Sequence, residues 1–152
     1  MSITGATVGM NNYQYRVAIN GTCSPAVTSS AVTLTVNTAP SITTQPSASG
    51  ICAGSNATFG VIASGTGLTY QWQFSNNGGS SFSNLSNGGL YSNVTSATMS
   101  ITGATAGMNN YQYRVAINGT CSPAVTSSAV TLTVNTAPSI TCLLYTSPSP
   151  RD

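Results

Sequence analysis

The chain has 152 residues, of which three are basic, one is acidic and none is histidine, giving a net charge of +2 with 40% apolar residues. So few ionisable groups leave out the usual general acids and bases, the carboxylate cages that hold calcium and any histidine-containing zinc set, and the arginines form no stripe for nucleic acid. The apolar content predicts a packed fold rather than disorder, and no apolar run nears the roughly 18 residues of a membrane helix.

From its first residue the chain repeats itself. Met1 to Thr43 recurs at Met99 to Thr141, and Val8 against Ala106 is the one mismatch. The shift sets a unit of about a hundred residues. It divides the chain into the C-terminal part of a preceding unit (1–38), one complete unit (39–136) and the start of a third (137–141). Met1 aligns with the internal Met99, so it reads as an internal methionine, and the lack of a signal peptide carries no information on localisation. The Asn-Thr-Ala-Pro sequence at 37–40 and again at 135–138 marks short linkers, because proline interrupts strand pairing.

Within the complete unit, apolar and polar side chains alternate at period two between clusters of Gly, Asn and Ser. Residues 57–63 put Phe59 and Val61 on one face. Residues 68–74 do the same for Leu68, Tyr70, Trp72 and Phe74. The run Asn76-Asn77-Gly78-Gly79 supplies positive φ angles for a tight hairpin. Met99 with Ile101, then Tyr111, Tyr113, Val115 and Ile117, then Val130, Leu132 and Val134 complete the inward faces. About seven short strands with no helical periodicity predict an all-β, two-sheet sandwich. The repeat breaks off after Thr141, and Cys142 to Asp152 match, codon by codon, a reading frame of a transposase-type sequencing adapter. We read 142–152 as translated adapter, outside the fold.

The ordered pieces Cys52-Ala-Gly54, Phe59-Gly-Val61, Tyr70-Gln-Trp72-Gln73, Asn77-Gly-Gly79 and Tyr111-Gln-Tyr113-Arg114 resemble those of the immunoglobulin-like domains found in tandem on large secreted proteins of Bacteroidota. The resemblance covers the complete unit and the partial copy. It implies a tryptophan on the third strand packed against a disulfide between the second and sixth strands, with a tyrosine corner two residues before the second cysteine. Matching Trp72 puts Val61 at the first cysteine position. The second falls on Val115, with Tyr113 as the corner, or two residues earlier on Tyr113, with Tyr111 as the corner. In either register the core disulfide is missing, and packing around Trp72 takes its place.

Each unit carries two cysteines, which suggests oxidised pairing in a secreted protein. Cys52 with Cys121 is the simplest candidate disulfide, and Cys23 is the earlier copy of Cys121. A sandwich places these two at opposite ends, and head-to-tail stacking of units offers another pairing, Cys52 of one unit with the Cys121 position of the next. Trp72 reads as core, and Tyr91, in a loop, is the residue open to a sugar-stacking role. Arg114 should face outward. Asn20, Asn56, Asn84, Asn93 and Asn118 begin Asn-x-Ser/Thr triplets, which read as polar surface in a bacterial protein.

The resemblance and the near-identical copies imply a non-catalytic structural spacer or stalk module of a secreted or cell-surface adhesin, without cofactor or metal, whose partners are neighbouring repeats. The alternatives are a module binding glycan or protein, and an accessory domain of a secreted hydrolase. Neither a membrane span nor a nucleic-acid partner is expected.

Overall fold

The computed structural model describes residues 1–139. The segment read as adapter, 142–152, and residues 140–141 of the third-repeat segment lie outside the described residues. The N-terminal copy forms four two-residue strands: β1 (Gln14–Tyr15), β2 (Ala18–Ile19), β3 (Val27–Thr28) and β4 (Val32–Thr33). They make one broken hairpin, β1 with β4 and β2 with β3. In the complete unit follow β5 (Ser41–Thr44), β6 (Ser49–Cys52), β7 (Ala57–Gly60), β8 (Ile62–Ser64), β9 (Thr69–Ser75) and β10 (Ser83–Asn84). After them come β11 (Tyr91–Ser92), β12 (Thr98–Ile101), β13 (Gln112–Asn118), β14 (Val125–Thr126) and β15 (Val130–Asn135). Single 3-10 turns, Val8–Met10 and Ala106–Met108, precede the equivalent hairpins of the two copies.

The sandwich expected from the period-two pattern is formed. One layer is β11-β12-β7; the other is β10-β9-β13-β15-β6, with β14 also on β13 and β6 running parallel to β15. Strand β13 pairs with β9 along its whole length, from Gln112 opposite Ser75 to Asn118 opposite Thr69. Alternation along it sends Tyr113, Val115 and Ile117 into the core, while Gln112, Arg114 and Ala116 face the other way. From the facing layer, Phe59, Met99 and Ile101 are buried against them.

Two details depart from the sequence reading. The run 57–63 is not one strand: β7 pairs with β12, the chain breaks at Val61, and β8 pairs with β5. Val61 stays buried in the core, and its amide, outside either ladder, donates to the Ala97 carbonyl at 3.0 Å. The Asn-Gly-Gly segment is likewise no tight hairpin. Gly78 and Gly79 do take positive φ, but β9 and β10 are joined by a longer loop over 76–82. That loop is closed by side chains: Asn77 Oδ1 accepts from Ser75 Oγ at 2.7 Å and from the Ser81 amide at 3.1 Å.

Candidate functional site

The segment 37–40 is seated on the loops that follow β8 and β13. Thr38 and Pro40 enter the complete unit at the end that carries the loops after β8 and β13. The Thr38 amide donates to Thr66 Oγ1 at 3.0 Å, and the Thr66 amide donates back to the Thr38 carbonyl at 3.1 Å. The Thr66 carbonyl in turn accepts from the Thr120 amide at 2.8 Å, so Thr66 ties the linker to both loops. Pro40 is buried in the seat. Glycine is required beneath it: a Cβ on Gly119 would lie 2.9 Å from Pro40 Cγ and 3.0 Å from the Thr66 carbonyl oxygen. The sequence marks Thr38 and Pro40 of this seat, as part of the Asn-Thr-Ala-Pro linker stretch, but not Thr66, Gly119 or Thr120. The glycines on either side of Thr66 and the one before Thr120 were the available signal, but glycine clusters mark any loop.

Trp72, Tyr113 and Val115 are 0% exposed and Val61 is 6% exposed. Val115 lies opposite Trp72 in the sheet, and the Trp72 indole donates to the Ser96 carbonyl at 2.9 Å, so the buried N–H is satisfied. Phe59 stacks on Tyr113 with centroids 5.0 Å apart and tilts against Trp72 at 6.4 Å. The Tyr113 hydroxyl meets the hydroxyl of Tyr91 at 3.2 Å, across the two layers. Burial raises the pKa of Tyr113, and the bond to Tyr91 raises it further. Tyr91 is also raised, by burial, with the bond to Tyr113 acting the other way.

Tyr91 thus lies in a short strand rather than a loop, and its ring packs against Phe74 and Tyr113 at 6.4 and 6.3 Å. It is half-buried, with little ring left for a sugar. Tyr111 tilts against Phe74 at 6.0 Å and is partly buried. Arg114 lies on the outer face of the β9–β13 sheet, donating to Gln73 Oε1 at 2.8 Å with its guanidinium 3.9 Å from the centre of the Phe82 ring. Of the triplet asparagines, Asn56 Oδ1 is occupied by the Gly103 amide and Asn84 Oδ1 by Gln73.

The Cys52–Cys121 disulfide is absent. Among the described residues Cys23, Cys52 and Cys121 are free, the first two exposed and the third partly so. Cys52 is in register with Asn135, whereas Cys121 lies beyond Asn118 at the far end of β13. A rigid seven-residue strand therefore stands between them. Among the described residues no group of three or more His, Cys, Asp or Glu side chains could hold a metal, and no helix is long and apolar enough to cross a membrane.

A domain described as of unknown function, DUF8696, matches residues 41–136. No curated protein sequence matches the chain. Solved structures show the immunoglobulin-like fold. A chimeric titin Z1Z2 carrying a peptide from decorin is 22% identical with a TM-score of 0.53, over 67% of this chain and 99% of that one. The first five immunoglobulin domains of Sidekick-1 give 17% identity and a TM-score of 0.57 over 80% of this chain and 25% of that one. The N-terminal Ig1-2 module of the Drosophila receptor protein tyrosine phosphatase DLAR gives 22% and 0.50, over 64% of this chain and 50% of that one.

Proposed function

The chain belongs to the DUF8696 family of domains of unknown function, and we propose that it is a non-catalytic spacer: one link of a tandem array of immunoglobulin-like units in a stalk or adhesin on a bacterial surface. The seated linker carries this reading. A flexible tether leaves its backbone to water, whereas here the linker's Thr38 makes three hydrogen bonds to Thr66, two of them through its backbone, and its proline is buried. A unit that grips the incoming chain fixes its angle to whatever precedes it, and the near-identical copies make that angle repeat. Repetition with little change suits reach and stiffness. The glycan-binding alternative would use Tyr91, whose ring is engaged with Phe74 and Tyr113. An extracellular location agrees with the surface role.

The test is small-angle X-ray scattering of a chain in which residues 39–98 are repeated ahead of Met1, so that two complete units stand in series. A single elongated shape is expected, and Thr66→Val combined with Gly119→Val should loosen it into a broad distribution of lengths. A freely jointed pair before any substitution overturns the spacer reading. Saturable glycan binding by the unmodified chain, lost in Tyr91→Ala, would favour the alternative.

A further inference from the structure

Cys52 and Cys121 lie at opposite ends of the sandwich, and each is beside a point where the chain enters or leaves. Cys52 ends β6 in register with Asn135, and the Ala53 amide donates to the Asn135 carbonyl at 2.8 Å. Asn135 is the last strand residue before the outgoing linker. Cys121 follows Thr120, whose amide is bonded to Thr66, which is bonded three times to Thr38 of the incoming linker. Both thiols reach solvent.

Within one unit the two are held apart by the length of β13, at least roughly 23 Å at about 3.3 Å per residue. A disulfide tolerates no more than about 7 Å between Cα atoms. Between units the arithmetic changes. Asn37 is the earlier copy of Asn135, so the Cys52 position of a preceding unit pairs beside Asn37, one residue from Thr38. The steps from there to Cys121 are sideways ones: to Asn37, from Thr38 to Thr66, and from Thr66 to Thr120. Three strand spacings and the two chain steps Asn37–Thr38 and Thr120–Cys121 total roughly 22 Å at most, and a bend at the linker can shorten them, whereas nothing short of unfolding shortens β13.

We propose that successive units are cross-linked, Cys52 of one unit to Cys121 of the next, so that the disulfide staples the junction that the linker already seats. The inference rests on the spacer reading, since it needs units in series. The oxidant is a small-molecule disulfide such as oxidised glutathione. One cysteine thiolate attacks it, forming a mixed disulfide and releasing one glutathione thiol. The second thiolate then attacks the protein sulfur of that mixed disulfide and releases the other. The two cysteines give up two electrons and two protons, which leave on the two glutathione molecules.

The experiment uses two proteins, each equilibrated with oxidised glutathione and mapped by non-reducing peptide mass spectrometry. In the chain as it exists, Cys52 and Cys121 are expected not to pair with each other; an intramolecular Cys52–Cys121 link overturns the proposal. In the chain with residues 39–98 repeated ahead of Met1, the added copy of Cys52 should join Cys121, with the loss of two free thiols per chain. Cys121→Ser should abolish the link and Cys23→Ser should leave it intact. If the added copy instead joins Cys23, or stays free while scattering shows a stiff two-unit rod, the cross-link is overturned and the spacer reading survives. A free thiol pair in a freely jointed chain overturns both.

Discussion

Residues 1–38 and 99–136 have the same sequence except at Val8 and Ala106, yet they occupy opposite surroundings. The local geometry is the same in both. Gln14 opposes Thr33 as Gln112 opposes Thr131, and Ile19 opposes Val27 as Ile117 opposes Val125. Asn11 Oδ1 accepts from the Val36 amide and Asn109 Oδ1 from the Val134 amide, both at 2.9 Å. Ser29 and Ser127 each accept from the valine amide across the hairpin, Val17 and Val115. Burial is where they part. Val17 and Ile19 are 54% and 62% exposed, while Val115 and Ile117 are fully buried. The long strand β13 is interrupted in the first copy, where β1 and β2 are separate and no equivalent of β9 lies alongside. The hairpin is thus encoded by its own turns and side-chain bonds, whereas strand continuity and the core come from the other half of the sandwich.

The sharpest way to break this contrast is to make the buried copy resemble the open one. Trp72→Ala, which leaves a large cavity behind β13, should destabilise the complete unit by about 3–5 kcal/mol. In denaturant unfolding the main transition moves to much lower concentration, while amide exchange within 1–38 stays as it was. The paired substitutions come next. Ile117→Ala should cost about 2–5 kcal/mol, and Ile19→Ala, the same change on the same local sequence, less than about 0.5 kcal/mol. Equal costs would mean that the two faces are equally covered in solution.

A pH titration probes the same asymmetry through Tyr113. Its folded pKa is raised above the unfolded value near 10, so the stabilisation is complete below about pH 10 and is lost as pH rises beyond it. Alkaline unfolding should therefore begin above about pH 10, and Tyr113→Phe should push its onset upward at a neutral-pH cost of about 1 kcal/mol for the lost hydroxyl bond. Asn109→Ala and Asn11→Ala test the shared part: each should speed exchange at its own valine amide, Val134 or Val36, and the first should cost about 1 kcal/mol of global stability. The smallest effect belongs to the arginines. Arg114→Ala loses the Phe82 contact and should cost about 0.5–1 kcal/mol, whereas Arg16→Ala should be silent in the same thermal melt.

Much of this was legible in the order of residues. Period-two alternation placed Phe59, Trp72 and the Tyr113-Val115-Ile117 series on inward faces because side-chain direction in a strand is fixed by the backbone alone. The repeat gave the unit length for the same reason: it needs no three-dimensional information. Other features stayed hidden. The break at Val61 arises because β7 and β8 serve different partner strands, and a local pattern carries no record of partners. Tyr91 looked like a loop residue because its strand is two residues long. Its hydroxyl pair with Tyr113 forms only when the two layers close.

By itself, then, the sequence determined the strand faces, which follow from neighbours a few residues apart, and the spacing of the units, which follows from comparing the chain with itself. The tertiary structure decided which copy is buried, where Pro40 is seated and that the Tyr91 and Tyr113 hydroxyls meet. Each of those depends on contacts between residues distant in the chain: desolvation requires a partner surface, and the seat at Thr66 exists only where two loops and the linker meet.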